Sequence, residues 1–223
     1  MVIKKAKVSW KIKLLNKQFF VRIINMDIKR DIELLYEIGC FRFLDRTWKR
    51  FLNADFANNA EHTFRIIWIA LMLAKHEGND NHEKILKMAL AHDLSESRTG
   101  DVDYLSRQYV DRFEEKAIED IFKGTICDSE IVKIWKEYEK RESIEAKIVK
   151  DADNLDVELE LKEQEERGHS VGSIWKENRR ELIIPRLYTQ SAKKFWDEIY
   201  NSNPHDWHLK GKNRFNSGDW KKQ

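Results

Sequence analysis

From Asp27 onward, apolar residues recur every three or four positions between charged ones, the spacing of helices that bury one face. The pattern predicts helices over 27–44, 60–77, 82–94, 108–123, 128–140, 143–167 and 175–200, joined by short polar or glycine-containing links. No segment alternates with the two-residue period of a half-buried strand. Segment 60–75 carries Phe64, Ile66, Ile67, Trp68, Ile69, Leu71, Met72 and Leu73, so it is apolar nearly all round. It is expected to be the central buried helix, closed by Gly78. In 143–167, Ile144, Ile148, Ala152, Leu155 and Leu159 form one stripe, which predicts a long helix across the core ending at Gly168. The expected fold is an all-α helical bundle.

The two ends break this pattern. Residues 1–25 hold Lys4, Lys5, Lys7, Lys11, Lys13, Lys17 and Arg22 and no acid. They read as a basic N-terminal extension peripheral to the core, with Met26 as an alternative start, ahead of a reading as a basic arm for an anionic surface. Residues 201–223 lose periodicity and gain Asn, Gly and Ser, which predicts an irregular C-terminal tail pinned by Trp207 and Trp220. The main domain is therefore placed at 26–200.

Composition narrows the function classes. With 223 residues, 8 Gly, 2 Pro and 36% charged residues, the chain suits one helical core and not a turn-dense β architecture. Lys+Arg at 41 against Asp+Glu at 39 leaves a net charge of +2, too little for the basic field that binds nucleic-acid polymers. Cys40 and Cys127 stand apart without CxxC spacing, so neither a disulfide framework nor a thiolate zinc site is expected, and a reducing compartment fits best. The longest apolar run, 66–74, is far short of the ~20 residues that span a bilayer, and Arg22 interrupts the apolar stretch at 19–24. A cytoplasmic protein with no membrane span is expected.

The chemistry lies in polar residues on faces that should be apolar. His92 shares its helical face with Met88 and Ile85, and Asp93 shares one with Ala89 and Leu86. Burying an unpaired carboxylate costs several kcal/mol in practice, so Asp93 needs a cation or strong donors beside it. His62 falls in the first turn of the central helix, where the helix dipole disfavours an imidazolium and leaves a nitrogen lone pair for coordination. Asp153 lies between Val149 and Val157, again a carboxylate facing crowded surroundings. Glu96 follows His92 by four residues and Asp93 by three, so all three project to one side if the helix continues through Leu94. The His-Asp dipeptide alone proves nothing, since His205-Asp206 repeats it in the tail.

The ordered set is more telling: Glu61-His62, then His92-Asp93 with Glu96, then Thr99-Gly100-Asp101, then Lys150-Asp151-Ala152-Asp153. At these residues the sequence resembles the HD-domain metal-dependent phosphohydrolases, and within them the 5'-deoxynucleotidase branch, over roughly 30–170. The resemblance implies that His62, His92, Asp93 and Asp153 hold one divalent cation, with Asp151 as a lower-ranked rival on another helical face. Two imidazoles and two carboxylates without thiolate suit Mn²⁺, Co²⁺ or Fe²⁺, and Zn²⁺ or Ni²⁺ are compatible. It further implies a catalytic role for Glu96, a place near the substrate sugar for Asp101, and a nucleotide-pocket role for Trp48, fourteen residues before His62. The phosphate-orienting residue falls among Arg46, Lys49 and Arg50, with Arg46 ranked first. A small-molecule nucleotide substrate and a homodimer follow as implications of the same likeness. The competing readings are another HD phosphohydrolase acting on nucleoside triphosphates or phosphodiesters, and a non-catalytic metal-stabilised nucleotide-binding module.

Overall fold

The computed structural model describes residues 28–52 and 55–210. The basic extension and Trp220 lie outside the described residues. In chain order the helices are α1 (Ile28–Cys40), α2 (Asn59–His76), α3 (His82–Ala91), α4 (Glu96–Thr99), α5 (Glu114–Phe122), α6 (Asp128–Lys140), α7 (Ile144–Glu166), α8 (Val171–Ile183), α9 (Gln190–Asn201) and α10 (Asp206–Leu209). Short 3₁₀ turns at Phe41–Phe43, Thr47–Arg50, Ser106–Gln108 and Ile184–Arg186 link them. Among the described residues there is no strand, only an isolated antiparallel bridge between Asp45 and Asn58. The all-α expectation holds.

α7 is the axis of the bundle and packs against α2, α3, α6, α8 and α9. Its stripe of Ile148, Ala152 and Leu155 meets Ile66 and Leu73 of α2 and Ile85 and Met88 of α3 in one core from which water is excluded. A second apolar cluster, around Leu34, Leu94, Ile118, Ile121 and Trp135, joins α1, α5 and α6 to the turn between α3 and α4. Capping fixes where α2 begins. The Asn58 side chain accepts from the Ala60 and Glu61 amides at 3.0 Å, while Glu61 Oε2 accepts the Asn58 amide at 3.0 Å. This reciprocal box sets the helix phase that delivers His62 inward from the first turn. Gly78 and Gly168, both at positive φ, follow α2 and α7 where the sequence places their ends.

Four expectations are corrected. The 175–200 helix is two helices, because Pro185 cannot donate to the helix ladder and Asp151 captures the chain just beyond it. Asp151 accepts from the Tyr188 amide at 2.9 Å, the Thr189 amide at 2.8 Å and Thr189 Oγ1 at 2.7 Å, so α9 starts afresh at Thr189. The 108–123 helix begins only at Glu114, preceded by an irregular stretch. α2 is central but not buried all round: Phe64, Trp68 and Met72, spaced one turn apart, are 66%, 53% and 50% exposed. Trp207 pins nothing, standing 80% exposed on α10. Among the described residues no helix is long and apolar enough to cross a membrane.

Candidate active site

Four segments distant in sequence converge at the end of α3. His62 enters from α2, His92 and Asp93 from the turn that closes α3, and Asp153 from α7. His62 Nε2 lies 3.2 Å from Asp153 Oδ1 and 3.6 Å from Asp93 Oδ2, and His92 Nε2 lies 3.1 Å from Asp93 Oδ2. His62, His92 and Asp153 each offer one ligand atom within 4.8 Å of the others. Asp93 stands beside both imidazoles but outside that mutual set, and Arg46 Nη1 donates to its Oδ2 at 3.1 Å.

The imidazole tautomers follow from their partners. His92 Nδ1 faces the Ala89 carbonyl oxygen at 2.8 Å, an acceptor only, so Nδ1 donates. His62 Nδ1 is hydrogen-bonded to the Asp156 carboxylate, also an acceptor, so this Nδ1 likewise carries the proton and donates it. Both Nε2 atoms are left buried with no hydrogen-bond partner, aimed into a cluster of carboxylates. Unpaired buried nitrogens are costly, and a borderline-to-hard divalent cation among two imidazoles and two carboxylates satisfies them. The donor set fits a divalent metal ion.

Charge in the pocket follows from burial and neighbours. Burial opposes ionisation of Asp153, yet Lys150 and His62 hold its carboxyl well below the usual range. Asp93 is likewise held low against its burial, chiefly by His92 and then by Arg46, although Asp153 opposes this. Glu96 goes the other way: burial, reinforced by Asp93 and Asp101, pushes it up to about 9. Burial also works against the charge on Arg46, which Asp93, Asp101, Asp153 and Glu96 more than restore. One cavity of about 170 Å³ is lined by Arg46, His92, Asp93, Glu96, Asp101 and Asp153, among other polar side chains.

The helix does not continue regularly through Leu94 as expected. Residues 92–95 form tight turns in which the Leu94 and Glu96 amides donate to Ala91 and Asp93 carbonyls at 3.1 and 2.9 Å, and α4 starts at Glu96. Glu96 still reaches the cavity. Trp135 Nε1 donates to the His92 carbonyl at 3.2 Å and fixes the turn from behind. Of the three basic candidates, Arg46 alone turns inward, 7% exposed, while Lys49 pairs with Asp45 and Arg50 with Asp103. Asp101 Oδ2 accepts from the Thr47 amide at 2.8 Å and its hydroxyl at 3.2 Å, which ties the Arg46 segment to the Gly100 corner. Trp48 is not among the cavity-lining residues. It packs edge-on against Trp175 of α8, ring centroids 5.5 Å apart, with the Arg179 guanidinium 5.6 Å from its ring. Asp151 takes no part, being spent on the start of α9.

The sequence pattern of the HD domain matches residues 38–196. The chain belongs to the HD domain family. It is 36% identical over 121 residues to a protein of Danio rerio named 5'-deoxynucleotidase HDDC2, covering 52% of this chain and 59% of that one. A Dictyostelium discoideum protein of the same name is 35% identical over 155 residues, 64% of this chain and 77% of its own. Among solved structures, a conserved hypothetical protein from Pyrococcus furiosus superposes with a TM-score of 0.63 at 26% identity, over 77% of this chain and 99% of that one.

Behind the HD residues lies a polar layer that sequence reasoning missed. Asp156, one turn after Asp153 on α7, holds His62 and is itself held by Arg65, one turn after His62 on α2. Arg65 also donates to Glu160 at 3.0 Å and Glu163 at 2.9 Å. The i, i+3 spacing of Asp153 and Asp156 was a readable signal, since it puts both carboxylates on one face. Asp156→Asn is expected to weaken divalent-cation affinity by about 10–100-fold, measured by titration calorimetry, with the fold kept by circular dichroism. Unchanged affinity would remove Asp156 from the site.

Proposed function

We propose that this HD-domain chain hydrolyses deoxyribonucleoside 5'-monophosphates to the deoxynucleoside and inorganic phosphate, with one divalent cation held by His62, His92, Asp93 and Asp153. The observation that carries the reading is the pair of partnerless buried Nε2 atoms facing carboxylates in the cavity that also holds Glu96 and Arg46. The relatives named 5'-deoxynucleotidase support the substrate class. A divalent cation supplies Lewis acidity there, for polarising a phosphoryl oxygen and acidifying water toward a pKa of ~7. The ions of choice are Mn²⁺, Co²⁺ and Fe²⁺, followed by Zn²⁺ and Ni²⁺.

Glu96 orients the attacking water and, as the carboxylate, takes its proton; the burial that raises its affinity for a proton makes it the stronger base. Arg46, buried and permanently charged, offsets the charge that develops on the equatorial phosphoryl oxygens. Asp101, anchored through Thr47, accepts the sugar 3'-hydroxyl, a polar requirement that discriminates ligands more sharply than apolar fit. The deciding experiment is a phosphate-release screen of deoxy- and ribonucleoside monophosphates with Mn²⁺, Co²⁺ and Mg²⁺ after chelator stripping. Phosphate from deoxynucleoside monophosphates supports the reading. Triphosphate released from nucleoside triphosphates, or a ring-opened product, would replace it with another HD hydrolase activity, and tight nucleotide binding without turnover would make this a binding module.

The protein is proposed to act in the cytoplasm as a homodimer. The stripe of Phe64, Trp68 and Met72 on α2 is an apolar face that a second copy would cover. Light scattering is expected to give twice the 26.8 kDa chain mass, and Trp68→Glu to give the monomer. A monomer in the unsubstituted protein would end this part of the proposal.

A further inference from the structure

We infer that Asn59 and Arg112 are positioning residues that clamp the Glu96 carboxylate from two sides. This rests on the hydrolase reading above, in which Glu96 works on water.

The clamp is built from three separate stretches of chain. Asn59, the first residue of α2 and 0% exposed, donates from Nδ2 to Glu96 Oε2 at 2.7 Å. Arg112, in the irregular stretch before α5, donates from Nη1 to Glu96 Oε1 at 3.2 Å. Each carboxylate oxygen therefore has its own donor, and the plane of the group is fixed by two elements with no sequence link to α4. Two donors to two oxygens specify orientation as well as charge, which a single ion pair does not.

Arg112 reaches further than Glu96. The same Nη1 lies 3.2 Å from the Gly100 carbonyl, and Nη2 lies 2.7 Å from Glu114 Oε1. Gly100 sits at a φ of 76°, in the left-handed corner that turns the chain from α4 into Asp101. One guanidinium thus joins the carboxylate that handles water to the corner that presents the sugar-binding carboxylate, and Glu114 keeps it in place. Arg112 also lines the polar cavity. Among the described residues the polar partners of Asn59 and Arg112 are Glu96, the Gly100 carbonyl and Glu114, not the imidazoles or carboxylates of the cation set, so loss of the clamp separates from loss of the cation. A misplacement of about 1 Å in a reacting group costs on the order of a hundredfold in rate.

The experiment compares Asn59→Ala, Arg112→Met and Arg112→Lys in the full chain loaded with Mn²⁺. The readouts are kcat and KM for phosphate release and Mn²⁺ affinity by calorimetry. Asn59→Ala and Arg112→Met are expected to lower kcat about 10–100-fold with Mn²⁺ affinity within about threefold of the unsubstituted chain, and Asn59→Ala, which has no tie to the Gly100 corner, also to keep KM within about threefold. Arg112→Lys, which keeps the charge and one donor, is expected to recover a large part of kcat. A kcat within about twofold of the unsubstituted chain in both truncations would overturn the clamp while leaving the hydrolase intact. So would a fall in kcat matched step for step by loss of Mn²⁺ affinity. If the unsubstituted chain releases no phosphate from any nucleotide, the hydrolase reading itself falls, and the clamp with it.

Discussion

Replacing Asp153 with alanine is expected to abolish stoichiometric binding of a divalent cation and to bring phosphate release down to background. Asp153 is one of three residues whose ligand atoms share a 4.8 Å neighbourhood, and its oxygen is 3.2 Å from His62 Nε2. Removing it leaves two buried imidazole nitrogens facing Asp93 alone. Glu96→Gln must behave differently. It keeps the cation set whole and preserves an acceptor for Asn59, yet it cannot take a proton, so Mn²⁺ still binds while turnover drops by about 10²–10⁴-fold. Calorimetry and phosphate release on the two variants separate holding the ion from using it. Turnover retained by chelator-stripped Asp153→Ala would refute the assignment.

The second large effect concerns stability. Arg179 of α8 reaches Glu158 of α7, whose side chain is fully buried and also accepts from Tyr200 at 2.6 Å. Arg179→Met leaves that carboxylate with a single neutral donor, and breaking a buried pair from one side costs about 3–5 kcal/mol. For a chain of this size the melting temperature falls by roughly 6–20 °C. The pH dependence has a definite sign. Burial already pushes the Glu158 carboxyl up, with Arg179 and then Tyr200 pulling it back. Without Arg179 the folded-state value rises further above the unfolded one, so the folded protein binds more protons and the deficit grows from pH 5 to pH 8. Adding Glu158→Gln to Arg179→Met recovers most of the loss, because no buried charge then remains. Equal melting temperatures for the unsubstituted protein and Arg179→Met would show that the pair contributes nothing.

Helix content and the HD residues were legible because both write themselves in local spacing. The stripe of Ile148, Ala152 and Leu155 dictated α7, and the same periodicity exposed His92, Asp93 and Asp153 as polar residues out of place on apolar faces. The break between α8 and α9 was half-legible: Pro185 was in view, but the capture of the Tyr188 and Thr189 amides by Asp151, nearly forty residues upstream, was not. Trp68 shows a limit of periodicity, which marks a face as apolar without saying whether this chain or another covers it. Asn59 and Arg112 left no signal, since their meaning lies in contacts with Glu96 that span 37 and 16 residues.

His62, the His92-Asp93 turn and Asp153 come from three segments that the apolar core also packs together. A cation engaging them acts as a rivet through α2, the end of α3 and α7. Whatever binds the folded chain and not the unfolded one adds to its stability by mass action, so the ion that serves the chemistry also tightens the scaffold. Cells short of that ion would lose the protein along with its activity.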